Sequence, residues 1–121
     1  MAGDWIKMRS DLDRDPAVIK MSTILNVTDC AVVGMLHRLW SWADAQSRDG
    51  HASGVTKSWV DRYVCHVGFA EALEKVGWLR EEKEGITLPN FDRHNGKCAK
   101  KRLVDARRQQ KYREKSVTHG A

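Results

Sequence analysis

No run of apolar residues in this sequence approaches the ~18–20 needed to cross a bilayer, so it predicts no membrane-spanning helix and no membrane partner. Cysteine is scarce. Cys30, Cys65 and Cys98 are odd in number and widely spaced, which excludes a disulfide framework and points to reduced thiols in a cytoplasm. The opening MAGDWIKMRSDLD carries charges where a secretory signal needs an apolar core, so export is not expected. The chain contains no Walker-type glycine-rich lysine loop, so ATP-driven helicase work is not encoded. A Gly-x-Ser-x-Gly elbow and a reactive-cysteine signature are missing too.

Metal chemistry lacks its usual spacing. A structural zinc site takes paired ligands such as Cys-x2-Cys or His-x3-His, so that two bonds come from one local turn. Cys65-His66, His51, His94 and Cys98 form no such pair. Asp92, His94 and Asn95 have a superficial likeness to a His-Asn-His nuclease. A metal-dependent nuclease needs several carboxylates and histidines converging on a cation, and one local Asp-x-His-Asn does not supply them. The sequence therefore predicts no metal, no cofactor and no enzymatic activity.

What is present is a chain of 121 residues, 41% apolar, which suits one folded domain with a tail. Its charge is uneven. Residues 1–96 hold 12 Lys+Arg against 14 Asp+Glu, whereas residues 97–121 hold nine against two, Asp105 and Glu114. A nearly neutral body with a basic C-terminal segment points to a polyanion partner, with a solvated basic helix as the plain alternative.

Local signals order the elements. Trp5 to Arg9 alternates and predicts a short strand. Asp15-Pro16 starts a first helix, with Val18, Met21, Ile24 and Leu25 as its apolar stripe and Asn26 as its end. Thr28 caps a longer helix on which Val32, Val33, Leu36, Leu39, Trp40 and Ala43 recur at spacings of three and four. Arg48-Asp49-Gly50 stops it, and Ala52 to Val55 is a lone short strand. Thr56 caps a third helix carrying Trp59, Val60, Tyr63 and Val64. Gly68 breaks the chain before a fourth with Phe69, Ala72, Leu73 and Val76, closed by Gly77. Trp78-Leu79 and Ile86 to Pro89 read as two apolar strands of a hairpin with an acidic tip, Glu81-Glu82-Lys83-Glu84. Gly96 to about Ser116 is a basic helix with a narrow apolar stripe of Ala99, Leu103 and Ala106.

This order predicts a mainly α chain with a small β-sheet, a winged helix-turn-helix with an extra N-terminal helix and a basic C-terminal helix. The predicted division is 1–95 for the winged helix and its N-terminal extension, and 96–121 for the basic helix and tail. Its core is expected to hold Val33, Leu36, Trp40, Trp59, Phe69, Leu73, Val76, Leu79, Ile86 and Leu88. Trp40, Trp59 and Trp78 are read as core more than as stacking platforms for single strands, and Trp5 and Trp42 as less clearly internal. Trp42 lies off the main stripe and is expected against the first or last helix.

Four stretches carry a family resemblance: Asp4-Trp5-Ile6-Lys7-Met8-Arg9, the tryptophan-rich Val33 to Asp44, Gly68 to Leu73, and Asn90-Phe91-Asp92-Arg93-His94-Asn95-Gly96-Lys97. Together, spanning roughly residues 4–115, they resemble the N-terminal domains of replication initiation proteins from bacteriophages, prophages and other bacterial mobile elements. The resemblance implies a winged helix that binds the replication origin in the bacterial cytoplasm. Such proteins usually continue into a linker and a further domain that engages helicase or primase machinery. The chain ends at Ala121, as expected of one domain of such a protein or of a short member.

The residues expected to touch duplex DNA fall in three groups. Lys57, Ser58 and Arg62 lie on the third helix. Arg93, His94 and Asn95 precede the basic helix, where His94 and Asn95 cap it or meet a phosphate. Lys97, Lys100, Lys101, Arg102, Arg107, Arg108 and Lys111 lie on the basic helix itself, with Lys97, Lys101, Arg108 and Lys111 near one face. The recognition helix departs from a simple DNA reader, because its polar positions are Glu71, Glu74 and Lys75. Glutamate can accept from cytosine N4, but two carboxylates near phosphates are repelled. Two other readings stay open: a phage transcription repressor, and a protein-interaction or oligomerisation module using the acidic helix and hairpin. A homodimer is expected, since repeated DNA sites favour paired modules.

Overall fold

The computed structural model describes residues 5–47, 50–89, 91 and 107–110. A short 3-10 turn, Leu12–Arg14, precedes α1 (Pro16–Leu25) and α2 (Asp29–Gln46). Then come β1 (His51–Ser53), α3 (Lys57–Val64), α4 (Phe69–Lys75), β2 (Arg80–Glu82) and β3 (Gly85–Thr87). The three strands form one antiparallel sheet in the order β1-β3-β2. The fold is mainly α with a small sheet, and its order and strand topology are those of a winged helix-turn-helix.

The helix boundaries follow from local chemistry. Asp15 accepts from the Ala17 amide at 2.8 Å, and Pro16 occupies the first helical position, where no amide is needed. Thr28 and Thr56 accept from the Ala31 and Trp59 amides, both at 3.1 Å. At the other ends, Asn26, Cys65 and Gly77 adopt left-handed backbone at φ 55, 62 and 82°. Each lets the next residue bond back five positions: Val27 to Ser22, His66 to Asp61, and Trp78 to Leu73.

That last bond corrects one expectation. The Trp78 backbone is committed to closing α4, so the strand starts at Arg80 and the charged run itself is β2. Its register sets Arg80 opposite Thr87, Glu81 opposite Ile86 and Glu82 opposite Gly85. An edge strand needs backbone pairing on one side only and tolerates charge, which also discourages pairing with other chains. Residues 5–9 form no strand either. The Arg9 carbonyl accepts from the Leu12 amide at 3.2 Å and starts the 3-10 turn, and the Arg9 guanidinium pairs with Asp15.

The core lies between the helices and one face of the sheet. Val18 and Met21 of α1 meet Val32, Leu36 and Leu39 of α2, Val60 of α3 and Phe69 and Leu73 of α4, all fully buried. Ala52, Leu79, Ile86 and Leu88 close it from the sheet side. Six of the ten expected core residues are buried. Val33, Trp40, Trp59 and Val76 are half-buried at its margin, because the inward stripe of α2 runs through Val32, Leu36, Leu39 and Ala43. Trp40 meets Trp78 at 6.1 Å between ring centroids. Trp42 packs on α3, with its ring 4.6 Å from Trp59 and 6.5 Å from Tyr63, a partner the sequence did not point to; most of the last helix expected beside it lies outside the described residues.

Most of the segment expected to form the basic C-terminal helix, and the expected 95/96 boundary, lie outside the described residues. Of that helix, residues 107–110 are helical and exposed. Phe91 is buried next to Gly50, whose φ is 91°. A Cβ at Gly50 would sit 2.7 Å from Phe91 Cβ and 2.8 Å from the Leu88 carbonyl, so glycine is what lets this ring dock.

Candidate nucleic-acid interface

The helix-turn-helix is tied together by polar contacts as well as by its core. Asp61, midway along α3, accepts from the Gly68 amide at 3.0 Å and the Ala70 amide at 2.8 Å. It thereby caps α4 from a neighbouring helix, since Gly68 has no side chain to do so. The same carboxylate occupies the amides that a phosphate would use at this helix start.

α4 is packed through Phe69, Ala70, Ala72 and Leu73, which leaves Glu71, Glu74 and Lys75 as its outward side chains. Lys57 answers two of them. Its Nζ lies 3.1 Å from Glu74 Oε1 and 3.4 Å from Glu71 Oε2. The bond to Glu74, then that to Glu71, raises the lysine's pKa above its ordinary value. Lys57 is therefore held between the α4 carboxylates instead of standing free for phosphate. Ser58 and Arg62 are exposed on α3, and Arg62 has no ion pair among the described residues.

The wing is laced by its own charges. His51 Nδ1 lies 3.0 Å from Thr87 Oγ1 and 3.3 Å from Glu82 Oε2, and Arg80 donates to Glu82 at 3.2 Å. The Thr87 hydroxyl, aided by Arg80 and His51, holds the Glu82 carboxyl below the usual carboxylate range. Glu81, Lys83 and Glu84 are exposed towards the tip, where the Gly54 amide donates to the Glu84 carbonyl at 2.6 Å.

Arg107 and Arg108 are exposed on helical backbone. Arg93, His94, Asn95, Lys97, Lys100, Lys101, Arg102 and Lys111 lie outside the described residues. One cation that sequence reasoning missed is Arg38. Its Nε donates to the Tyr63 carbonyl at 2.7 Å, and its guanidinium sits 4.5 Å from the centre of the Tyr63 ring. Tyr63 in turn stacks on Trp59 at 4.9 Å. Nothing local marks this role, because the partner lies 25 positions away.

Among the described residues no three His, Cys, Asp or Glu side chains gather as a metal ion requires. No single helix there is long and apolar enough to cross a membrane. No protein-family model, curated protein or solved structure matches the chain.

Proposed function

We propose that this chain is a sequence-specific binding domain for double-stranded DNA, serving a phage or mobile-element replication initiator at its origin. The observation that carries the reading is α4: the second helix of a helix-turn-helix followed by a hairpin wing, buried on one face and turning Glu71, Glu74 and Lys75 outward on the other. Such helices enter a major groove. The replication role rests on the family resemblance alone.

The mechanism is binding, with no catalytic step. Basic side chains neutralise phosphates and release counterions, which gives affinity, while base edges and groove shape give specificity. Exposed Arg62, Arg107 and Arg108, with the other cations of residues 97–111, are the phosphate set, and the Ser58 hydroxyl is a neutral donor beside them. A homodimer on repeated sites and contact with helicase or primase machinery in the bacterial cytoplasm complete the proposal.

A second reading, a module that docks a protein partner, is favoured by the charge of α4 and the hairpin: Glu71, Glu74, Glu81, Glu82 and Glu84 against Lys75, Arg80 and Lys83. A salt titration separates the two. Each phosphate contact on B-form DNA contributes about 0.9 to the slope of log affinity against log salt. Replacing Lys97, Lys101 and Arg108 by Ala is expected to flatten that slope by up to ~3 and to weaken specific and non-specific duplexes about equally. An unchanged slope and affinity would make protein docking the better reading.

A further inference from the structure

We infer that Glu71 is the base-reading side chain of α4, taking a hydrogen bond from the exocyclic amino group of a cytosine in the major groove, with Lys57 as the residue that positions it. The inference rests on the DNA-binding reading above and goes beyond it by naming the reader and the base.

Placement leaves few candidates. A recognition helix meets base edges through its N-terminal part. Phe69, Ala70, Ala72 and Leu73 are buried, so Glu71 is the first side chain of α4 that can point out, and 57% of it is exposed. Glu74, 37% exposed, is nearer to Lys57, and Lys75 follows Glu71 by one turn.

Chemistry then selects the base. A carboxylate only accepts. Guanine and thymine offer acceptors in the major groove and would repel it. Cytosine offers the N4 amino donor, whereas adenine sets its N6 donor beside the N7 acceptor. Cytosine is therefore the base that Glu71 suits best.

Lys57 removes the main objection to this arrangement. Two carboxylates next to phosphates carry two like charges into a negative field. With the ammonium 3.1 and 3.4 Å away, the trio carries one net negative charge. The lysine sits on α3 and reaches across to α4, and Glu71 stays more than half exposed while paired with it. A cation paired in this way serves the specificity of the helix and adds little to the salt slope.

The test uses the full chain and duplexes selected from a random pool. The parent is expected to select one position as cytosine and to bind about tenfold more weakly when that C·G pair becomes T·A. Glu71→Ala, at an exposed helical site where alanine keeps the fold, is expected to bind the two duplexes within about twofold of each other. Glu71→Gln is expected to move the preference to adenine, which a carboxamide reads through N6 and N7. Lys57→Met is expected to weaken both duplexes and narrow their difference, and Lys57→Arg to preserve it. If Glu71→Ala selects the parent's motif with the parent's discrimination, the assignment is overturned and DNA binding stands. Binding by the parent without any base preference overturns the assignment and the sequence specificity proposed above, and leaves double-stranded DNA binding alone standing. If neither the parent nor any variant binds duplex DNA, the assignment and the DNA-binding reading fall together.

Discussion

The Asp61 carboxylate of α3 accepts the Ala70 amide of α4 at 2.8 Å, so one helix supplies the cap of the next. With its second oxygen on the Gly68 amide, it fixes the angle at which α4 leaves the turn. Asp61→Ala leaves two backbone donors without their acceptor and is expected to cost about 1–3 kcal/mol in urea unfolding. Asp61→Asn keeps one acceptor oxygen and should lose less. Equal stability of all three proteins would show that solvent satisfies these amides as well as Asp61 does.

Leu73 is fully buried where α4 meets the rest of the core. Leu73→Ala removes its contacts and leaves a cavity, at an expected cost of ~2–5 kcal/mol. The thermal midpoint checks this. An unchanged midpoint would refute the packing of α4.

Asp15 links pH to the stability of α1. Burial pushes its carboxyl up, but the Arg9 guanidinium and the Ala17 amide outweigh that and hold it below its ordinary 3.8. A lowered folded pKa gives stability that is complete above the unfolded value and fades as pH falls through the folded one. Asp15→Ala should therefore cost ~0.5–2 kcal/mol at neutral pH, as loss of an N-cap does. The gap between parent and variant should shrink as pH drops below 3.8. Parallel stability curves down to strong acid would contradict this.

Cys65 closes α3 in left-handed backbone at φ 62°, a conformation that L side chains resist by roughly 1–2 kcal/mol. Cys65→Gly removes that strain but gives the unfolded chain more freedom, so a small net gain of up to about 1 kcal/mol is expected. Cys65→Val, with a branched Cβ at the same φ, should destabilise. Calorimetry of the pair checks the order glycine, cysteine, valine.

Much of the fold was legible because its signals are local. Asp15-Pro16, Thr28, Thr56 and Gly77 mark helix ends within a few residues of where the structure has them. β2 was hidden because an edge strand is chosen by backbone pairing with β3, and the polarity of Arg80, Glu81 and Glu82 says nothing about that. The wrong reading of Trp78 had a local remedy, since a glycine at a helix end often commits the residue after it to the cap. At the candidate interface, the outward positions Glu71, Glu74 and Lys75 could be read from periodicity. The reach of Lys57 across to α4, the capping of α4 by Asp61 and the grip of Arg38 on Tyr63 could not, because each joins residues that only the tertiary fold brings together.

The sheet order has a kinetic consequence. β2 and β3 are neighbours across the two-residue turn Lys83-Glu84, but three residues per strand make too small a hairpin to persist alone. β1 reaches its partner only across a long loop, His51 to Thr87 being 36 positions apart, and α3 and α4 fill that loop. Refolding should therefore run through a transition state in which the helices are assembled and the sheet is still open. In stopped-flow chevrons, Val60→Ala should slow folding, whereas Gly85→Ala, whose Cβ would collide with the Ala52 carbonyl, should chiefly hasten unfolding. The wing would then be the last part of the chain to lock and the first to let go.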